Sequence, residues 1–200
     1  MSRRDALGRP REFPKASVLL LVVLACLAAY PGVRRHQEER RLAAAASAVA
    51  GVHDEVSCQG LGGALVETGA EAGFVRWGAD GRPEHVAHIM WDQCRDLRSY
   101  LRSGKGHPTA AQITAVHVLT HEAVHTSGVT SESRTECMAL QRDARTAQLL
   151  GASERAAKAL AWLYWRTDYP NMPDDYRDAA CVPGGSLDER LPTSPWVAGP

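Results

Sequence analysis

Hydrophobic and polar positions divide the chain into an apolar N-terminal run, a short β region and a helical remainder. Residues 16–33 carry no charge and centre on Val18-Leu19-Leu20-Leu21-Val22-Val23-Leu24, held between Lys15 and Arg34-Arg35. A bilayer span needs about 17–25 predominantly apolar residues, so this run predicts one transmembrane helix of the shorter kind. Residues 34–55 are charged and then Ala-rich, and read as a helical stalk. Residues 56–93 carry the β signals. Gly73-Phe74-Val75-Arg76-Trp77 and His85-Val86-Ala87-His88-Ile89-Met90-Trp91 flank Asp80-Gly81, which marks a hairpin turn. Helices are expected over 94–101, 109–127, 131–150 and 153–167, with a short one near 171–176. In the second of these Ile113, Val116, Leu119, Ala123 and Val124 recur at helical spacing. Thr109 and Gln112 form a capping box at its start, and Gly128 can end it in the left-handed conformation. In the 153–167 helix Ala157, Leu160, Ala161 and Tyr164 share a face, and Trp162 and Trp165 flank it to seal a core or groove. The fold class is therefore α+β: a mainly helical domain over 56–182, with a small hairpin before its central helix. A tail of residues 1–15, the membrane helix and the stalk precede it, and a Pro/Gly-rich tail over 183–200 follows.

The central helix carries the chemistry. His121-Glu122-Ala123-Val124-His125 spells H-E-x-x-H. Histidines four apart lie one turn apart on one helix face, so both imidazoles can reach a single metal ion. Glu122 falls near that face, where it can act as general base on a water at the metal. No other acid, and no Lys or Arg, lies between Ile113 and Val124, so a carboxylate on so apolar a helix needs a reason. His117 extends the ladder by one turn. Each step of four advances about 40°, so three turns do not converge on one tetrahedral ion, and His117 reads as a partly buried neighbour. His85 and His88, three apart on a strand, point to opposite faces and read as structural or surface groups.

The segment Val118–His125 resembles the extended zincin consensus, with uncharged residues around the His-Glu pair. Gly128 suits the metzincin branch, but Ser131 stands where that branch needs a third histidine, and no histidine follows His125. The gluzincin branch takes a glutamate from the next helix, and Glu136 in Thr135-Glu136-Cys137-Met138-Ala139 is similar to its E-x-x-A pattern. The resemblance covers about 30 residues. It implies a zincin-like fold, Zn2+ held by His121, His125 and Glu136, Glu122 as catalytic base, and peptide or protein substrates. An oxyanion helper would come from Tyr164, Tyr169, Tyr176 or an arginine after the motif. Glu132 is the rival ligand, and Glu136 also fits a capping box begun by Ser133. Asp143 can orient a ligand imidazole or stand as a solvated helix charge; the second is the expectation.

Charge and cysteines set the compartment. With 23 basic and 23 acidic residues, nothing suggests a nucleic-acid partner. Basic residues flank the apolar run on both sides and fix no orientation. Cys58, Cys94, Cys137 and Cys181 all follow it without a C-x-x-C pair, as expected of two disulfides in an oxidising compartment. Three pairings are open. Order of appearance suggests Cys58 with Cys94 and Cys137 with Cys181, against four buried free thiols. The expected location is a single-pass membrane protein with its C-terminal domain extracytoplasmic, residues 16–33 serving as an uncleaved anchor. A cleaved signal, or a lipoprotein modified at Cys26 in Val23-Leu24-Ala25-Cys26, are the alternatives. The expected activity is zinc-dependent hydrolysis. A metal-holding interaction module without turnover and a structural membrane protein without metal are the competing readings.

Overall fold

The computed structural model describes residues 15–60 and 72–197, so the expected N-terminal tail over 1–15, except Lys15, and the last three residues lie outside the described residues. The chain divides into two compact units, residues 1–37 and 38–200. Helix α1 (Lys15–Ala50) begins in the first and ends in the second. In the first unit its apolar side chains from Val18 to Val33 are exposed. Among the described residues it is the one helix long and apolar enough to cross a membrane.

In the second unit the last turns of α1 are part of the core, where a stalk was expected. Leu42, Ala45 and Ala46 are buried, and Val49 packs against the same cluster. Their i, i+3, i+4, i+7 spacing is the stripe a core-facing helix needs. Glu38 anchors this segment through Arg98 and Arg102, at 3.2 and 3.0 Å.

Among the described residues three strands follow, in the order β1-β3-β2. β2 (Gly73–Trp77) and β3 (Pro83–Ile89) form the expected antiparallel hairpin, with Phe74 opposite His88. β1 (Glu55–Cys58) runs parallel to β3 on the far side, Val56 opposite Ala87. That pairing is non-local and was not foreseen. Helices α2 (Trp91–Arg102), α3 (Ala110–Thr126), α4 (Glu132–Leu149) and α5 (Glu154–Thr167) complete the unit. The expected capping box of α3 forms: Thr109 Oγ1 accepts from Gln112 N, and Gln112 Oε1 accepts from Thr109 N. Gly128 ends α3 with φ +99°, a conformation that favours glycine.

α3 is the centre of the unit. It touches α2, α4, α5, β2 and β3, and every residue from Ala115 to Thr126 is buried. The aliphatic members, Val116, Leu119 and Val124 among them, contribute about 1.5–3 kcal/mol each by their removal from water. The polar members must find partners instead, because a buried polar group left unpaired is costly. The disulfides are Cys58–Cys94, tying β1 to α2, and Cys137–Cys181, tying α4 to the C-terminal segment, as order of appearance suggested. That segment wraps back over α4, where Gln141 donates to Leu187 O and accepts from Glu189 N, and Arg142 pairs with Glu189. Trp165 packs against Trp196 of the same segment, in keeping with a sealing role.

Candidate metal centre

The short connection at residues 127–131 folds α4 back against α3, with Ser131 capping α4 by accepting from Arg134 N. The antiparallel hairpin places residues equally distant from the turn beside one another. His125 thus meets Glu132, and His121 meets Glu136 one helical turn deeper.

At the cleft end three acceptor atoms converge. His121 Nε2 and His125 Nε2 are 3.0 Å apart, and Glu132 Oε2 stands 3.1 Å from the first and 3.3 Å from the second. Both Nδ1 atoms are occupied on the protein side. His125 Nδ1 donates to Val129 O at 2.7 Å, and His121 Nδ1 donates to Glu136 Oε2 at 3.0 Å. Carbonyls and carboxylates only accept, so both hydrogens sit on Nδ1 in the neutral rings, and both Nε2 lone pairs face the carboxylate. A proton on one ring relieves part of this repulsion; a cation satisfies all three atoms together. The group can hold a metal ion. Donors bound tetrahedrally to an ion at about 2.0–2.2 Å lie about 3.3–3.6 Å apart, so these separations fit with slight expansion. The orientation of each ring by a partner at its other nitrogen is a regular feature of metal-binding histidines.

The glutamates are placed differently from the expected ligand set. Glu136 does not join His125: its Oε2 accepts from His117 Nε2 at 2.9 Å as well as from His121 Nδ1, and its Oε1 accepts from Tyr164 OH at 3.1 Å. With three donors engaged, it has no oxygen directed to the cleft. Glu132, in the first turn of α4, takes the place beside both Nε2 atoms. Asp143 is buried rather than solvated, and its Oδ2 accepts from His117 Nδ1 at 2.8 Å. His117 is wholly buried, with Tyr164 stacked on its ring at 3.8 Å.

These contacts shift the ionisations. Burial works against charge on His117, but Glu136 and then Asp143 outweigh it and raise its pKa to about 10. Burial likewise opposes the charge of Glu136, and His117 with His121 overcomes it, lowering its pKa to about 2. In the metal-free chain burial opposes charge on His121, but hydrogen bonds to Glu132 and Glu136 outweigh it and raise its pKa to about 9. Hydrogen bonds from His121 and then His125 lower Glu132 to about 2. Burial, reinforced by the charge of Glu136, pushes the Tyr164 phenol far up.

A cleft of about 190 Å³ opens over this end of the hairpin. Its base holds His121, Glu122, His125 and Glu132, and one wall is β2 through Gly73, Phe74, Val75 and Trp77. Tyr176, in the turn Asp174–Tyr176, lines it also, with its ring 5.8 Å from that of His121. β2 presses on Glu122. A methyl group at Gly73 would stand 2.9 Å from Glu122 Cγ and Oε1, so only glycine leaves this carboxylate where it is. His85 and His88 are elsewhere: His85 Nδ1 is 3.6 Å from Asp54, and His88 stacks on Phe74.

Gly73 and the pairing of His117 with Asp143 are the components that the sequence alone did not single out, and Tyr176 was one of three tyrosines it left open. Antiparallel pairing of the two helices across Gly128 was the available signal for Glu132. Compared with protein-family models, curated proteins and solved structures, the chain matches none.

Proposed function

We propose that the chain is a membrane-anchored, extracytoplasmic zinc hydrolase acting on peptides. The observation that carries this reading is the convergence of two imidazole lone pairs and the Glu132 carboxylate at the base of a cleft that also contains Glu122. Two histidines and one carboxylate with a fourth position open are the donor set of catalytic zinc. Zinc held there would supply Lewis acidity and make a water acidic enough to ionise near neutral pH.

The chain's own groups do the rest. Glu122 takes the proton of the attacking water at its carboxylate and returns it to the leaving nitrogen. Tyr176 lines the cleft with its ring 5.8 Å from that of His121, and is the tyrosine placed to donate to the developing oxyanion. β2 lies at the edge of the sheet and along the cleft, where an extended peptide can add by main-chain hydrogen bonds. The two disulfides favour an oxidising compartment for the domain, with α1 as its anchor.

The rival reading is a metal-holding module without turnover, which the narrowness of the cleft favours. The test is cleavage of a peptide library by the purified full chain loaded with zinc, with and without chelator. Glu122→Gln should lower kcat by about 10²–10⁴-fold while zinc remains nearly stoichiometric. A loaded wild-type chain that cleaves nothing supports the rival, and a chain that takes up no zinc ends both.

A further inference from the structure

We propose that Asp143, His117 and Tyr164 form a buried positioning network that locks Glu136 onto Nδ1 of His121 and so sets how tightly the cleft end holds its metal. The proposal rests on the reading of His121 as a ligand given above. It concerns the other end of the hairpin, where no ligand or substrate reaches.

Hydrogen-bond counting supplies the argument. His117 faces a carboxylate at each ring nitrogen: Asp143 Oδ2 at 2.8 Å from Nδ1 and Glu136 Oε2 at 2.9 Å from Nε2. An ionised carboxylate only accepts, so both nitrogens carry hydrogen and the ring is a cation enclosed by two anions. Tyr164 stacks on this cation and donates its hydroxyl to the other oxygen of Glu136. Glu136 is thereby held from α3 and from α5 at once. It has one alignment left in which to accept from His121 Nδ1, and that bond fixes the tautomer whose Nε2 lone pair faces the cleft.

Two simpler accounts fail. His117 Nε2, His121 Nδ1 and Glu136 Oε2 lie close enough together to be taken for a second metal group. An ion there, together with one at the cleft end, would need lone pairs on both nitrogens of His121 and so an imidazolate, whereas a hydrogen on Nδ1 shared with Glu136 leaves the ring neutral. A stabilising ion-pair cluster is the other account. Buried ion pairs are often no better for stability than well-packed apolar residues, so stability alone gives weak reason for a charged triad beside this helix.

The test is Zn2+ affinity of the full chain, read by competition with a chromophoric chelator, in wild type and in the double variant His117→Gln/Asp143→Asn. This change removes one positive and one negative charge together and keeps side-chain size close. We expect Kd to weaken about 10–100-fold, with an altered Co2+ absorption spectrum, in a chain that retains its fold. In zinc-loaded wild type, nitrogen-resolved histidine NMR should show His117 protonated at both nitrogens and His121 at Nδ1 alone. A folded double variant with wild-type Kd, or a neutral His117 in wild type, overturns the proposal; the second result decides it even if the variant does not fold. A wild-type chain that binds no Zn2+ instead removes the metal reading itself.

Discussion

Both ends of the α3–α4 hairpin set histidines of α3 against carboxylates of α4, yet their hydrogen bonds leave them in different states. At the inner end His117 lies between two carboxylates, and both oxygens of Glu136 accept from side-chain donors. At the cleft end His121 and His125 donate from Nδ1 to the protein, and their two Nε2 atoms converge with Glu132 Oε2 within 3.3 Å of one another. Histidine and glutamate content does not distinguish a metal site from a buried ion cluster. The placing of donors does: a carboxylate met on both oxygens by N–H and O–H groups closes into a cluster, whereas ring nitrogens that converge with a carboxylate on one point can take a cation.

The comparison breaks most sharply at the two glutamates. Glu132→Ala removes an atom from the converging set and should weaken Zn2+ binding by well over about 100-fold, whereas Glu136→Gln removes only an orienting charge and should cost about 10–100-fold. Chelator competition on both variants gives the order directly. Equal losses would mean that Glu136 shares in ligation, and the reverse order would restore the ligand set first expected from sequence.

A second substitution separates catalysis from metal holding. Gly73→Ala forces the Glu122 carboxylate aside without touching His121, His125 or Glu132. Misplacement of a reacting group by about 1 Å can cost on the order of 10²-fold, so kcat should fall about 10–100-fold while zinc content and melting temperature stay near wild type. Unchanged kcat would show that Glu122 adapts freely or is not the base.

Local signals were legible in the sequence where neighbouring residues decide the outcome. The capping box of α3, the hairpin around Asp80-Gly81 and the H-E-x-x-H face all depend on residues a few positions apart. Glu132 and Glu136 differ by one helical turn, and the choice between them depends on how α4 docks against α3. Asp143 read as solvated because the cation that neutralises it, His117, belongs to another helix. β1 pairs with β3 across a long connection, where alternation along one strand carries no information about its partner. The stripe Leu42, Ala45, Ala46 and Val49 was visible, but its small residues resembled an Ala-rich stalk until there was a core to receive them.

The smallest effect, and the one that isolates the inner end, is the pH dependence of stability in the zinc-free chain. His117 is raised in the fold from its ordinary 6.5 to about 10, so its contribution is complete below about pH 6.5 and is lost as pH rises toward 10. Glu136 is lowered from 4.5 to about 2, so its contribution is complete above about pH 4.5 and is lost as pH falls toward 2. Both describe one ion-paired group and are not to be added. Together they set a stability plateau between about pH 4.5 and 6.5, falling on either side by at most about 1.4 kcal/mol per pH unit for each proton exchanged. Denaturant melts of wild type and of His117→Gln/Asp143→Asn from pH 3 to 10 compare the two directly. The alkaline fall between pH 6.5 and 10 should be steeper in wild type than in the variant, because the variant loses the proton of His117 and keeps only that of His121, raised to about 9. The same slope in both chains would mean that His117 is neutral in the fold and that the inner end holds no enclosed cation.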